Sequence, residues 1–173
     1  MPDPLVQPLD LAQDAVAEAV QRLGRASYAV EAELIGFDGI PGLRESLAEL
    51  RARPLRWVGV AADRDGGLAG ALAWEEPAPA PTTGAGAGAA AARIDRLCVD
   101  PAWFRKGIAS QLVRYFLEEV AAGRAAEVTT GAANAPAVAL YERLGFVRGA
   151  DFSPAPGLRM ASFHRPAPHP RHR

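Results

Sequence analysis

The segment over residues 94–120 constrains the fold most, because it predicts a strand, a loop and a helix in succession. Asp100-Pro101 ends the extended pattern, and Gly107 opens a helical one. The apolar residues that define them are Ile94, Leu97 and Val99 in the strand and Ile108, Leu112, Phe116 and Val120 in the helix. A strand that leads directly into an amphipathic helix places the chain in the α/β class.

The rest of the chain also alternates between extended and helical patterns. Strands are predicted over 5–9, 55–62, 68–74, 127–130, 146–152 and 158–163, with an antiparallel hairpin over 55–74. Helices are predicted from a capping box at Asp10 and Gln13 to Gly24, over 27–35, from Pro41 to Pro54, and from Pro136 to Gly145. We expect one α/β (α+β) domain over 1–164, with a mixed, largely antiparallel sheet and helices on both faces.

Low-complexity segments predict the irregular parts of the chain. The stretch 77–90 is rich in Pro, then in Gly and Ala, and predicts a flexible loop. The segment 165–173 consists mainly of Pro, His and Arg and predicts a disordered tail.

Composition excludes several classes of protein. The 173 residues carry 19 Lys+Arg against 20 Asp+Glu, which weighs against a general nucleic-acid binder. One cysteine excludes an intramolecular disulfide and a multi-cysteine zinc site, and no His/Asp/Glu cluster has metal-ligand spacing. No apolar run approaches the roughly 18 residues of a membrane span, and a signal peptide pattern is absent. A soluble, cytoplasmic chain is expected.

The loop before the helix of the 94–120 segment has features that favour the binding of an anion. Gly107 lets a ligand approach the backbone closely, and the free N–H groups of the helix start face it. Arg105 and Lys106, the chain's one lysine, add positive charge there. Helix capping alone would explain the glycine equally well, and the pattern is neither a P-loop nor a dinucleotide fingerprint. Trp103 and Phe104 are interpreted as anchors of this loop, with stacking on an adenine base as the alternative.

A second segment, Asn134 to Phe146, completes a recognisable pair of motifs. By itself it predicts a capped amphipathic helix. With the first segment it resembles the GNAT acetyltransferase superfamily. The family's cofactor-loop pattern, Gln/Arg-x-x-Gly-x-Gly/Ala, corresponds to Phe104 to Ala109 and departs at Phe104. The pattern Asn-x-x-Ala-x-x-Leu-Tyr-x-x-x-Gly-Phe is met in full.

The resemblance implies acetyl transfer from acetyl-CoA, as cosubstrate, to an amine by direct attack in a ternary complex. Two parallel strands, ending at Val99 and near Thr130, would splay apart around the pantetheine arm. A backbone N–H near Val99 would stabilise the oxyanion. The cofactor-binding residues that it implies are Leu97, Cys98, Val99, Phe104, Arg105, Lys106, Gly107, Ile108, Ala109 and Asn134.

The resemblance also assigns side-chain roles, each with a structural alternative. Tyr141 would protonate the departing thiolate, since a phenol with a pKa near 10 is an adequate donor; otherwise it is a core residue. Asn134 would bind the pantetheine arm, cap the helix, or do both. Cys98 is interpreted as a buried apolar residue rather than a nucleophile.

Asp95 is the candidate general base. It has the same strand parity as Leu97 and Val99, so all three are expected on one face. It could take the ammonium proton, or it could pair only with Arg93 or Arg96. If it is not the base, Glu31, Glu33 or water remain.

The acceptor is expected to contact residues 27–50 and the late strands. The acidic residues there, Glu31, Glu33, Asp38 and Glu45, would attract a cationic amine or would simply form a solvated helix face. A small molecule or a peptide could supply the amine. Dimers are common in the family, so a homodimer is left open. The rival hypotheses are a non-catalytic CoA-binding or regulatory module and, more remotely, an unrelated nucleotide-binding protein.

Overall fold

The computed structural model describes residues 5–62, 66–76 and 90–169. The loop predicted over 77–90 lies outside the described residues apart from Ala90. The predicted tail is described only as far as His169, and Arg165 belongs to the last strand rather than to the tail. None of the helices in these ranges is long and apolar enough to cross a membrane.

The described chain forms eight strands and four α-helices. The strands are β1 (Val6–Leu9), β2 (Leu55–Ala61), β3 (Leu68–Glu75), β4 (Ala92–Val99), β5 (Ala126–Gly131), β6 (Val147–Arg148), β7 (Phe152–Ala155) and β8 (Leu158–Arg165). The helices are α1 (Asp14–Ile35), α2 (Leu47–Ala52), α3 (Ile108–Tyr115, extended by a π-helical turn over Phe116–Val120) and α4 (Ala135–Arg143). Short 3₁₀ turns occupy Pro41–Leu43 and Pro101–Trp103.

The strands form one sheet in the order β1-β2-β3-β4-β5-β8-β6, and β7 also pairs with β8. Every described strand pair is antiparallel except β4 with β5, which is parallel. This confirms the mixed, largely antiparallel sheet and the 55–74 hairpin.

The parallel pair is unusually short. Ala92 pairs with Ala126 and Arg93 with Glu127, and the two strands then diverge. The divergence leaves a gap between the carboxyl-terminal halves of β4 and β5, which we call the splay gap. The predicted splayed pair of strands is therefore present.

Helices cover both faces of the sheet. On one face, α3 and α4 pack over a core in which Leu72, Leu112 and Phe116 are fully buried. On the other, α1 and α2 pack over a second cluster that includes Leu23 and Trp57. The two apolar faces fix the sheet between helical layers and thereby fix where the splay gap opens.

The first helix is longer than predicted. It runs unbroken through Gly24 to Ile35, so the two predicted helices are one, and Gly36 ends it in the left-handed conformation at φ 64°. The capping box at Asp10 and Gln13 is also wrong, because Gln13 caps α1 without a side-chain hydrogen bond. An interior glycine costs a helix only about 1 kcal/mol, and packing of the flanking apolar residues outweighs that cost.

The helix predicted after Pro41 is broken into a 3₁₀ turn and α2. The break places Glu45 against β4, where its carboxylate accepts hydrogen bonds of 2.6 and 2.8 Å from the Arg96 guanidinium. Both side chains are largely buried, at 13% and 10% exposure. This bidentate ion pair fixes the connection between α1 and α2 to the strand that borders the splay gap.

We expect Arg96→Met to lower the free energy of unfolding by about 3–5 kcal/mol, because it leaves the Glu45 carboxylate buried without a cation. The double variant Glu45→Met/Arg96→Met should lose less than the sum of the two single losses, since it leaves no buried charge. Urea denaturation of the four proteins in this cycle measures the coupling. Strict additivity would show that the pair does not stabilise the connection.

Candidate active site

The loop before α3 has the backbone shape expected of an anion cradle. Asp100 accepts a hydrogen bond from the Ala102 N–H at 2.8 Å and caps the 3₁₀ turn. Arg105 and Gly107 then both adopt positive φ, at 61° and 80°. Positive φ at a non-glycine residue is uncommon and is often found at functional sites. The chain thereby turns so that the first N–H groups of α3 are presented beside Arg105 and Lys106.

The aromatic residues of this loop have different surroundings. Trp103 packs against the core, and the Lys106 ammonium lies 4.9 Å from the centre of its ring. Phe104 is 41% exposed, so the prediction that it anchors the loop is wrong. Its ring lies on the surface next to the cradle, where the family pattern has a polar residue.

The edge of β4 presents polar backbone groups to the splay gap. The Asp100 N–H bonds to the Ala69 carbonyl, on the side of β3. Because backbone groups of successive residues point to opposite sides of a strand, those of Val99 point away from β3. The Val99 N–H donates to the Ser27 Oγ of α1 at 3.4 Å, a long hydrogen bond. The predicted oxyanion donor is therefore at the gap, held weakly by a hydroxyl.

A β-bulge in β4 overturns the predicted placement of Asp95. Arg96 pairs with Ala73 and Ile94 with Trp74, so Asp95 is the extra residue. Ile94 and Leu97 consequently pack in the same core cluster, although they are three residues apart. The bulge breaks the alternation of faces, and the prediction that Asp95 shares a face with Leu97 and Val99 is wrong.

Two arginines contact the Asp95 carboxylate. It accepts a hydrogen bond from Arg53 at 2.8 Å, and the Arg96 guanidinium lies 3.5 Å away. The alternative in which Asp95 pairs with Arg96 describes only the longer of these contacts, and Arg53 was not among the predicted partners. The role of Asp95 as a base stays a prediction.

Two candidate functional residues, Asn134 and Tyr141, belong to the α4 motif. Asn134 is the N-cap residue, and its Oδ1 accepts a hydrogen bond from the Ala137 N–H at 3.3 Å. The Tyr141 ring is buried, with its centre 5.5 Å from those of Phe146 and Phe163. Burial, with smaller contributions from Glu31 and Cys98, raises the pKa of Tyr141 well above 10.

Helix α1 crosses the splay gap with three residues that lie four positions apart, namely Ser27, Glu31 and Ile35. Ser27 contacts β4 as described. The Gly131 backbone N–H and the Asn134 side chain lie close enough to Glu31 to lower its pKa as hydrogen-bond donors. Ile35 lies so close to Gly131 that a Cβ there would be 2.4 Å from its Cγ2. One helix face thus joins β4 and β5 in the region where the two strands no longer pair with each other.

The acidic residues of the predicted acceptor region are not equivalent. Glu45 is bound to Arg96, and Glu33 and Asp38 are exposed. Glu31 is partly buried, and desolvation raises its pKa above the ordinary value. Glu31 is a candidate base from the sequence, but its position at the gap could not be predicted, because that position depends on α1 continuing past Gly24.

Two further observations limit where chemistry is to be sought. An open cleft of about 1010 Å³ lies at the other end of the sheet, but none of the predicted site residues lines it. Within residues 5–62, 66–76 and 90–169, no group of three His, Cys, Asp or Glu residues could hold a metal ion.

Comparison with known proteins identifies the family. The model of the acetyltransferase (GNAT) domain family matches residues 56–148, which include the cradle and the α4 motif. This match covers more than half of the chain. The chain belongs to the GNAT acetyltransferase family.

Individual proteins resemble the chain in sequence or in fold. UPF0157 protein YqkA of Bacillus subtilis is 31% identical over 160 residues, 92% of this chain; the chain spans 43% of that protein's length. The ribosomal-protein-S18-alanine N-acetyltransferase of Escherichia coli superposes with a TM-score of 0.66 at 16% identity, covering 94% of this chain and 93% of that one. An acetyltransferase of Thermus thermophilus superposes with a TM-score of 0.67 at 19% identity, covering 94% of this chain and 96% of that one. These structures share the fold.

Burial makes Cys98 a poor nucleophile, as the sequence predicts. Desolvation raises the pKa of its thiol to about 11, and the side chain is 3% exposed. Its thiolate fraction at pH 8 should be about 10⁻³, against about one quarter for a free cysteine of pKa 8.5. We therefore expect iodoacetamide to label Cys98 at least about a hundredfold more slowly in the native than in the urea-unfolded protein. Equal labelling rates, followed by mass spectrometry, would contradict this burial.

Proposed function

We propose that this protein is an N-acetyltransferase that transfers the acetyl group of acetyl-CoA to an amine by direct attack in a ternary complex. The observation that carries the proposal is the splay gap, which opens beside the anion cradle of α3. A strand edge without a neighbour accepts an extended, amide-containing chain as an added strand. An adjacent helix start accepts a phosphate.

The residues of the cradle fit a diphosphate. A Cβ built on Gly107 would meet nothing within 4 Å, so the space over the helix start is open. Arg105 and Lys106 supply positive charge there, and the exposed Phe104 ring offers a surface on which an adenine could stack. The backbone of Leu97 and Val99 would pair with the pantetheine arm across the gap, and Asn134 would contact it from the other side.

Tyr141 would supply the proton that the departing thiolate needs. Its raised pKa means that the phenol stays protonated throughout the physiological pH range. The same shift makes it a weaker acid than the expected phenol of pKa near 10, so proton transfer requires the phenol to be held against the sulfur.

Gly107→Glu should abolish CoA binding, because the new side chain and its negative charge would occupy the place of the diphosphate. Calorimetric titration with CoA should show affinity at least about a hundredfold weaker, a loss of about 2.7 kcal/mol.

Gly123→Glu is the matched control for this variant. Gly123 also has positive φ, at 71°, and open space around its Cβ position, but it follows the opposite end of α3. The backbone strain is therefore similar and the charge is remote. Wild-type CoA affinity in folded Gly107→Glu would show that the cradle does not bind the diphosphate.

Tyr141→Phe should lower kcat by about 10²-fold and leave acetyl-CoA affinity nearly unchanged, because it removes only the proton donor and keeps the packed ring. Turnover can be followed by mass detection of acetylated products from a pool of amines.

Tyr115→Phe, on α3, controls for removal of a phenol elsewhere and should keep full activity. An unchanged kcat in Tyr141→Phe, with the chemical step rate-limiting, would assign Tyr141 to the core. A wild-type protein that binds CoA but acetylates no amine would favour the non-catalytic binding module instead.

A further inference from the structure

Glu31 is a carboxylate without a cation in the wall of the splay gap. Among the described residues its partners are the Gly131 N–H and the Asn134 side chain, and no arginine or lysine pairs with it. Asp95 and Glu45, on the same side of the sheet, are both held by arginines. A desolvated carboxylate that lacks an internal cation is unfavourable unless it is neutralised or meets a cation from outside.

The surroundings of Glu31 put it at the place where two substrates would meet. Ser27, one turn before Glu31 on α1, contacts Val99 of β4, and Ile35, one turn after it, lies against Gly131 of β5, so Glu31 lies between the two strands that border the gap. Tyr141 is a buried residue of the core on the α4 side of the sheet, and Glu31 lies on the α1 side. The two groups are close enough for the charge of Glu31 to raise the Tyr141 pKa.

We propose that Glu31 binds the acceptor as an alkylammonium ion and accepts the proton that the amine must lose before it attacks. The proposal rests on the acetyltransferase function proposed above and narrows the acceptor to an amine that is protonated at neutral pH. A carboxylate has about four acceptor positions, so two hydrogen bonds leave room for an ammonium ion.

The proton and electron balance closes with residues of this chain. Glu31 takes one proton from the ammonium ion, and the freed nitrogen lone pair forms the new C–N bond at the thioester carbonyl carbon. As the C–S bond breaks, sulfur leaves with its electron pair and takes the Tyr141 proton. The second proton lost by the nitrogen restores the phenol, through water, and Glu31 releases its proton to solvent. The products are the amide, the CoA thiol and one proton.

Protonation of Glu31 should therefore control the acidic limb of the pH profile. The titratable groups that face it are Tyr141 on α4, Cys98 on β4 and Tyr28 on its own helix, all neutral at neutral pH. Because desolvation raises the Glu31 pKa, kcat/KM should rise with pH at values above the ordinary range of a glutamate.

The test compares n-butylamine, which is protonated at neutral pH, with methoxyamine, which is uncharged. Glu31→Gln keeps the shape and one acceptor oxygen; Glu18→Gln, at an exposed position of α1 remote from the gap, is the matched control. With acetyl-CoA, Glu31→Gln should lower kcat/KM for n-butylamine by about 10²–10⁴-fold, remove the acidic limb, and leave methoxyamine acetylation within about threefold. Glu18→Gln should resemble the wild type with both amines.

Three results would overturn the assignment or separate it from the proposed function. Unchanged n-butylamine kinetics in Glu31→Gln place the base elsewhere, with Asp95→Asn as the next variant. Equal losses with both amines show a structural role only. If the wild type acetylates neither amine, the proposed function fails. Titration of n-butylamine into the protein–CoA complex then tests the ammonium site by itself. Loss of binding in Glu31→Gln supports that site, and an affinity equal to that of the wild type overturns it.

Discussion

Parallel pairing between β4 and β5 ends after Arg93 and Glu127, and the backbone beyond that point faces a gap instead of a neighbouring strand. Backbone N–H and C=O groups need partners, and here α1 supplies one through the hydroxyl of Ser27. The two halves of the sheet are thus joined by two residue pairs and by the helix that crosses above them. The cradle, the motif of α4 and the acidic side chain of α1 all take their relation to one another from this divergence.

Electrostatic pairing separates the carboxylates near the gap into two kinds. Asp95 and Glu45 hold α2 and its preceding loop to β4 through arginines, so they stabilise the wall of the site. Glu31 has hydrogen-bond donors near it, but no cation from the described part of the chain pairs with it. Its charge contributes to the raised pKa of Tyr141, so neutralisation of Glu31 would make the phenol a better acid. On the proposed assignments, the first proton transfer would therefore assist the second.

The sequence predicted most of the fold, because strong periodicity and turn residues coincide in its second half. The helix start at Gly107 and the cap at Asn134 illustrate this agreement between local pattern and structure. Gly24 misled because a single glycine is a weak signal that packing along a 22-residue helix overrides. Asp95 misled because alternation along a strand cannot reveal a bulge, which depends on the register with β3. The position of Glu31 could not be predicted without the uninterrupted α1, since it follows from where that helix crosses a divergent pair of strands.

Gly131 and Ile35 show how the gap could vary between related chains. A Cβ on Gly131 would require Ile35 to move, and Ile35 lies one helical turn beyond Glu31. A larger residue at position 131 would therefore raise α1 over the gap unless a smaller residue stood at position 35. Substitutions at two such contacting positions are not additive, and each sets which changes the other tolerates. In an alignment these two positions should covary, with the sum of their volumes better preserved than either residue.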